Sequence, residues 1–63
     1  MTSEQAITKG IEKCDDFIAV NTRLLDSAKS STDAKLIGAK LIAYRAVKYD
    51  LMGILNQIKN EQI

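Results

Sequence analysis

The segment from Asp33 to Ile58 is apolar around most of its circumference when it is drawn as a helix, although the whole chain has only 63 residues. A helix that packs against one neighbour needs a single apolar stripe, whereas a helix that is apolar on several sides needs several neighbours. This chain has room for one further helix. The pattern therefore predicts that the segment packs partly against another chain, either a second copy or a different protein.

The composition indicates one small all-α domain. Proline is absent, the three glycines stand singly, and helix-forming residues predominate without any period-2 alternation. A chain of this size buries only about 60% of the surface that its unfolded form exposes. Cys14 is the only cysteine and there is no histidine, so we expect neither a disulfide nor a Cys/His zinc site, and no cofactor. Association is then the remaining means of stabilisation.

The first helix is predicted from about residue 3 to about residue 29. Thr2 and Gln5 have the spacing of a capping box at its start. Phe17 and Leu24 widen an apolar seam whose positions step alternately by four and three residues, as in a heptad repeat. The seam consists of Ile7, Ile11, Cys14, Ile18, Asn21, Leu25 and Ala28. The helix is therefore amphipathic, with one side buried.

A turn is predicted at about residues 30–32, followed by a second helix from about 33 to about 60. Thr32 is the expected N-cap, and the Asp33 carboxylate complements the positive end of the helix. No glycine or proline enforces the break, so one continuous helix of roughly 58 residues, rising ~1.5 Å per residue, is the alternative. The hairpin is favoured because three consecutive Ser and Thr side chains compete with helical backbone bonding.

The second helix carries a seam with the same spacing and two further faces. The seam consists of Ile37, Leu41, Tyr44, Lys48, Leu51, Leu55, Ile58 and Gln62, flanked on one side by Leu36, Ala43, Val47 and Ile54. A separate face carries Ala39, Ile42, Ala46, Tyr49 and Gly53. That face is either a second contact surface or a solvated side with tolerated small residues. Its two large side chains, Ile42 and Tyr49, favour contact.

Catalytic groups are few in this sequence. It has no histidine, no glycine-rich phosphate loop, no cysteine pair and no nucleophile motif, so we do not expect an enzyme. Cys14 lies on the seam, where a packed small hydrophobe is expected rather than a reactive thiol. Asn21 and Lys48 occupy seam positions where apolar residues are usual. They either fix helix register or lie at the margin of the seam, with the lysine reaching out to water.

A nucleic-acid interface is the first alternative function. Arg45, Lys48 and Lys59 form a basic stripe on the second helix, near Tyr49 as a stacking group. Against this interpretation, nine basic residues are offset by eight acidic ones, and the domain lacks the strongly basic character that nucleic-acid binding usually requires.

Location in a membrane is not expected. Lys40, Arg45, Lys48 and Asp50 interrupt the apolar segment, and each would cost roughly 2.5–3.5 kcal/mol at the centre of a bilayer. The first five residues lack the basic and apolar regions of a secretion signal, and a single unpaired thiol fits a reducing compartment. We therefore expect a cytoplasmic protein.

In outline, a helical hairpin of about sixty residues is similar to the plasmid-encoded Rop dimer and to the small co-chaperones of type III secretion needle subunits. The first resemblance implies RNA binding along one face of a bundle, and the second implies a partner protein that shields an apolar helix. Neither rests on a shared sequence signature, so no residues are carried over.

The sequence as a whole predicts an antiparallel two-helix hairpin that dimerises into a four-helix bundle. The expected function is protein binding by a small regulator, inhibitor or co-chaperone of the kind that bacterial and phage genomes encode, acting by occluding its partner. A structural part of a larger assembly is a further alternative. Aromatic and arginine side chains carry much of the energy of typical interfaces. The predicted partner-binding residues are Ile42, Tyr44, Arg45, Tyr49 and Met52.

Overall fold

The computed structural model describes residues 1–61, in which two α-helices are joined by a short turn. Helix α1 spans Ser3–Asp26 and helix α2 spans Ser31–Glu61. The predicted all-α hairpin is confirmed. The single continuous helix is excluded, because residues 27–30 leave the helical path and α2 packs back along α1. Gln62, the last predicted seam position, lies outside the described residues.

Helix α1 begins with the predicted capping box. The Gln5 amide donates to Thr2 Oγ1 over 3.1 Å, and the Thr2 amide donates to Gln5 Oε1 over 2.9 Å. The helix ends at Asp26 rather than near residue 29. Its end is closed by Ser27, whose amide donates to the carbonyl oxygens of Arg23 and Leu24 over 3.3 and 3.2 Å. These bonds satisfy carbonyl groups that would otherwise lack partners at a helix end.

Helix α2 begins two residues earlier than predicted, and the N-cap prediction at Thr32 is wrong. Ser30 caps the helix instead: its Oγ accepts from the Asp33 amide over 3.1 Å, and its carbonyl oxygen accepts from the Ala34 amide over 3.0 Å. Thr32 lies inside the first turn. Several adjacent Ser and Thr residues are all competent caps, so the sequence pattern placed a turn near these residues but did not distinguish Ser30 from Thr32 as the cap.

The hairpin is a single layer of helices. Its Cα atoms extend over 50 × 17 × 12 Å, and among the described residues no side chain is fully buried. Among residues 1–61, the buried ones are Cys14, Leu41 and Asn21. The chain exposes 4870 Å², whereas a compact monomer of 7.0 kDa is expected to expose about 4,000 Å². The difference, roughly 800 Å², is close to the area that one partner buries in a standard protein interface.

Candidate interaction surfaces

The seam residues of both helices lie at the interface between α1 and α2. Leu41 and Cys14 are buried, and the other apolar seam residues up to Ile58 are half-buried. In α1 these half-buried residues are Ile7, Ile11, Ile18, Leu25 and Ala28, and in α2 they are Ile37, Tyr44, Leu51, Leu55 and Ile58. Each helix therefore turns one stripe toward its neighbour and leaves its remaining apolar residues at the surface.

The two polar seam residues have different partners. Lys48 Nζ lies 2.6 Å from the Asp15 carboxylate of α1, and this ion pair links the helices at one edge of the seam. The hydrogen bond to Asp15 raises the pKa of Lys48 above its usual value of 10.5. Asn21 is buried, but its Nδ2 donates over 2.8 Å to the carbonyl oxygen of Phe17 within α1. Of the two, Lys48 forms the contact that relates the register of one helix to the other.

Tyr44 packs within the hairpin and is separated from the other predicted partner-binding residues. Its ring stacks on Phe17 of α1, with ring centroids 5.0 Å apart and an interplanar angle of 14°. This arrangement follows from the position of Tyr44 on the α2 seam between Leu41 and Lys48. Stacked aromatic pairs of this kind are worth about 0.5–1.5 kcal/mol beyond the area they bury. Tyr44 therefore stabilises the contact between the helices.

An apolar surface extends over one side of the whole hairpin; we call it the apolar flank. Its large side chains lie roughly 70–130° from the seam centre at 100° per residue, turned in the same sense on both helices. When two right-handed helices pack antiparallel, surfaces that are offset in the same sense from the two seams lie on the same side of the pair. Leu24 and Leu36 line one shallow groove beside the turn, which confirms the shared side. The flank consists of Phe17, Val20 and Leu24 of α1 and Leu36, Ala43, Val47 and Ile54 of α2, all exposed.

A second apolar surface, the outer face, lies on α2 alone. Ile42 and Tyr49, one heptad apart, retain 70% and 69% of their full exposure. They lie roughly 130° from the seam centre, in the sense opposite to the flank, with Arg45 and Met52 between them and α1. Gly53 has open space where a Cβ would stand. Four of the five predicted partner-binding residues therefore share this side of the molecule.

The basic stripe predicted for nucleic acid is partly engaged within the hairpin. Lys48 is bound to Asp15. Arg45 and Lys59 remain exposed on the same side of α2. Within residues 1–61, Arg45 and Lys59 are the cations of this stripe without an ion-pair partner, and on a chain of net charge +1 they form a weak electrostatic footprint. This arrangement supports the nucleic-acid interpretation less than it supports the apolar outer face.

Two further kinds of site, for metal ions and for membrane spanning, are absent from the part of the chain that the structure describes. Within residues 1–61, no three acidic, cysteine or histidine side chains are placed to hold a metal ion together. Over the same residues, neither helix combines the length and apolar character needed to cross a bilayer.

Comparisons with protein-family models, with curated proteins and with solved structures give no match to this chain.

Sequence reasoning found the residues of the apolar flank other than Val20, without joining them into one surface. It placed Phe17 and Leu24 beside the first seam, and Leu36, Val47 and Ile54 beside the second. The signal that unites them is the direction of the offset from each seam, which is the same on both helices. Because the helices pack antiparallel, residues offset in this direction on α1 and on α2 lie on the same side of the hairpin.

Proposed function

We propose that this protein is a non-enzymatic protein-binding module that occludes its partner with the outer face of α2. The supporting observation is the exposure of Ile42 and Tyr49 on helix α2, away from both α1 and the apolar flank. Large side chains displayed in this way are typical anchors at protein interfaces, and arginine is enriched beside them. Here Arg45 and Met52 lie beside Ile42 and Tyr49 on α2.

The chemistry of the outer face indicates the kind of partner. Arg45 and Lys59 border the apolar residues on the side nearer the seam, and Lys35 lies on the opposite border. The matching surface is an apolar groove whose rim carries acidic side chains. Complementary charge of this kind orients the encounter, while the buried anchors supply most of the affinity.

Self-association is the second part of the proposal. The hairpin is one helix deep, and its excess exposed area corresponds to about one side of a standard interface. A second copy on the apolar flank would form the four-helix bundle predicted from the sequence. The outer face points away from that flank, so a dimer would keep two copies of the partner-binding surface available.

The experiment is affinity capture from the native host, with stoichiometry measured in the recovered complex. We expect Ile42→Asp and Tyr49→Ala to release the partner while circular dichroism and sedimentation stay unchanged. Asp16→Ala, an exposed substitution on the far side of α1, is the matched control and should retain it. A complex that survives both outer-face substitutions would overturn the proposed site.

A further inference from the structure

The row of α2 positions that carries the residues of the apolar flank also carries two charges of opposite sign. Its positions step by 4-3-4-3-4 along the helix. They are Leu36, Lys40, Ala43, Val47, Asp50 and Ile54. Lys40 also lines the groove shared by Leu24 and Leu36, which places it on the flank. Both Lys40 and Asp50 are exposed, and across residues 1–61 neither has an ion-pair partner.

This row of residues is complementary to an identical row that runs in the opposite direction. With two α2 helices face to face and antiparallel, and a two-fold axis level with position 45, Lys40 of each copy meets Asp50 of the other. The same axis places Leu36 opposite Ile54, and Ala43 opposite Val47. A two-fold interface applies every pairing twice, so both charges of both copies find partners. The flanking apolar residues exclude water from the row.

The flank residues of helix α1 are also compatible with this two-fold axis. The contact between Phe17 and Tyr44 shows that Phe17 is nearly level with position 45. Two copies of Phe17 would therefore meet close to the axis. The same axis would place Leu24 level with Gly10 of the second copy. The apolar flank thus closes over its own copy along both helices.

The parallel arrangement matches the charges less well. There α2 of one copy lies on α1 of the other, with the turns at the same end. The contacts of Asp15 with Lys48 and of Phe17 with Tyr44 show which residues are level, and they place Lys40 near Val20 and Leu24. Its ammonium group would be covered without a partner, which is costly. Asp50 would meet Lys13, so the unpaired lysine in this arrangement is Lys40, which lies only about 50° from the seam centre and therefore nearer the middle of the bundle than Lys13 does.

From this complementarity we infer that the apolar flank binds a second copy of the chain in antiparallel orientation, with reciprocal Lys40–Asp50 ion pairs fixing the register. The inference rests on the self-association proposed above and adds its face, direction and register. Lys13 is exposed on the α1 row of the flank, roughly 110° from the seam centre, and has no charged partner in this arrangement, so its long side chain must extend past the interface to water. The turns of the two hairpins lie at opposite ends of the bundle.

A charge-exchange experiment tests the register. Lys40→Asp alone and Asp50→Lys alone each place like charges opposite one another twice, and each should weaken the homodimer about tenfold or more in sedimentation equilibrium. Mixed together, the two variants should form a heterodimer with near wild-type affinity. Lys35→Asp mixed with Asp16→Lys carries the same charges on sides that face away from the flank, and should show no such preference. Equal pairing in the two mixtures would overturn the register.

Spin labels on the turns test the direction. Lys29→Cys in a Cys14→Ala background places one label beside each turn. An antiparallel dimer separates the two labels by about 45 Å at 1.5 Å per helical residue. A parallel dimer brings them within about 10–20 Å. The short distance would overturn the orientation while leaving self-association intact.

A wild-type protein that stays monomeric at ~100 µM would overturn both self-association and its orientation. Partner binding by the outer face is judged separately, by whether Ile42→Asp and Tyr49→Ala release the captured protein.

Discussion

Lys48 of α2 and Asp15 of α1 approach within 2.6 Å and form the one ion pair found in residues 1–61. The pair lies at the edge of the seam opposite the apolar flank. The ion pair and the apolar flank are therefore on different sides of the hairpin. Because of this separation, the ion pair and the flank can be altered independently.

The ion pair should make stability depend on pH at the alkaline end. The Asp15 hydrogen bond raises the pKa of Lys48 above 10.5 in the folded protein, so its stabilising contribution is complete below that pH and is lost as pH rises through the folded value. Asp15→Asn should lower the melting temperature slightly at pH 7 and make no difference once Lys48 is neutral in both proteins. Thermal melts from pH 7 to pH 12 measure this, with Asp16→Asn as the control. A deficit that persists at pH 12 would point to a cause other than the ion pair.

The two tyrosines should differ sharply in their effect on stability. Tyr44 stacks on Phe17 and is half-buried, so Tyr44→Ala should cost about 1.5–3 kcal/mol, roughly half the cost of truncating a fully buried aromatic residue. Tyr49 is 69% exposed, so Tyr49→Ala should change the free energy of unfolding by less than about 0.5 kcal/mol. Urea denaturation of both variants at one protein concentration makes the comparison. Similar losses from the two substitutions would contradict the assignment of Tyr49 to the outer face.

The glycines of the two helices should respond differently to alanine. Gly53 has open space around the position of a Cβ, so Gly53→Ala should stabilise the helix by about 0.5–1 kcal/mol. At Gly10 a Cβ would stand 3.2 Å from Leu51 Cδ1, so the same gain is offset by crowding in the seam. Chemical denaturation should rank Gly53→Ala above the wild type and Gly10→Ala close to it. The reverse order would mean that α1 and α2 pack in a different register.

Asn21 should tolerate an apolar residue better than a charged one. Its Nδ2 donates to the Phe17 carbonyl oxygen in a buried setting. Asn21→Asp at pH 7 replaces that donor with a negative charge beside the same oxygen, and should destabilise the protein by about 1–3 kcal/mol. Asn21→Leu removes the buried polar group and should be neutral or stabilising. If thermal melts show Asn21→Leu to be the more damaging change, the amide has a partner beyond Phe17.

Local sequence patterns predicted much of the hairpin. The 4-3 spacing identified the half-buried positions from Ile7 to Ala28 and from Ile37 to Ile58, because heptad spacing keeps one stripe toward a neighbouring helix. The Thr2–Gln5 capping box was confirmed for the same local reason. The choice of Ser30 over Thr32 as cap was missed, since neighbouring hydroxyl residues have nearly equal capping ability.

The axial alignment of the two helices could not be predicted from the sequence. It depends on the path of the chain through residues 27–30, and it decides that Phe17 meets Tyr44 and that Asp15 meets Lys48. Without that alignment, the sequence shows only that Tyr44 is aromatic, and aromatic residues are typical of interfaces. Tyr44 is therefore among the predicted partner-binding residues. Its place on the α2 seam was the available signal that it packs against α1.

The turn at residues 27–30 also sets the order in which the hairpin closes. Leu24 and Leu36 are joined by a short loop, whereas Ile7 and Leu55 must close a loop several times longer, at a higher entropic cost. We expect the first native contacts between α1 and α2 to form beside the turn, and later contacts to form progressively toward the free ends of the two helices. Amide hydrogens near the start of α1 and the end of α2 should accordingly exchange with solvent earliest.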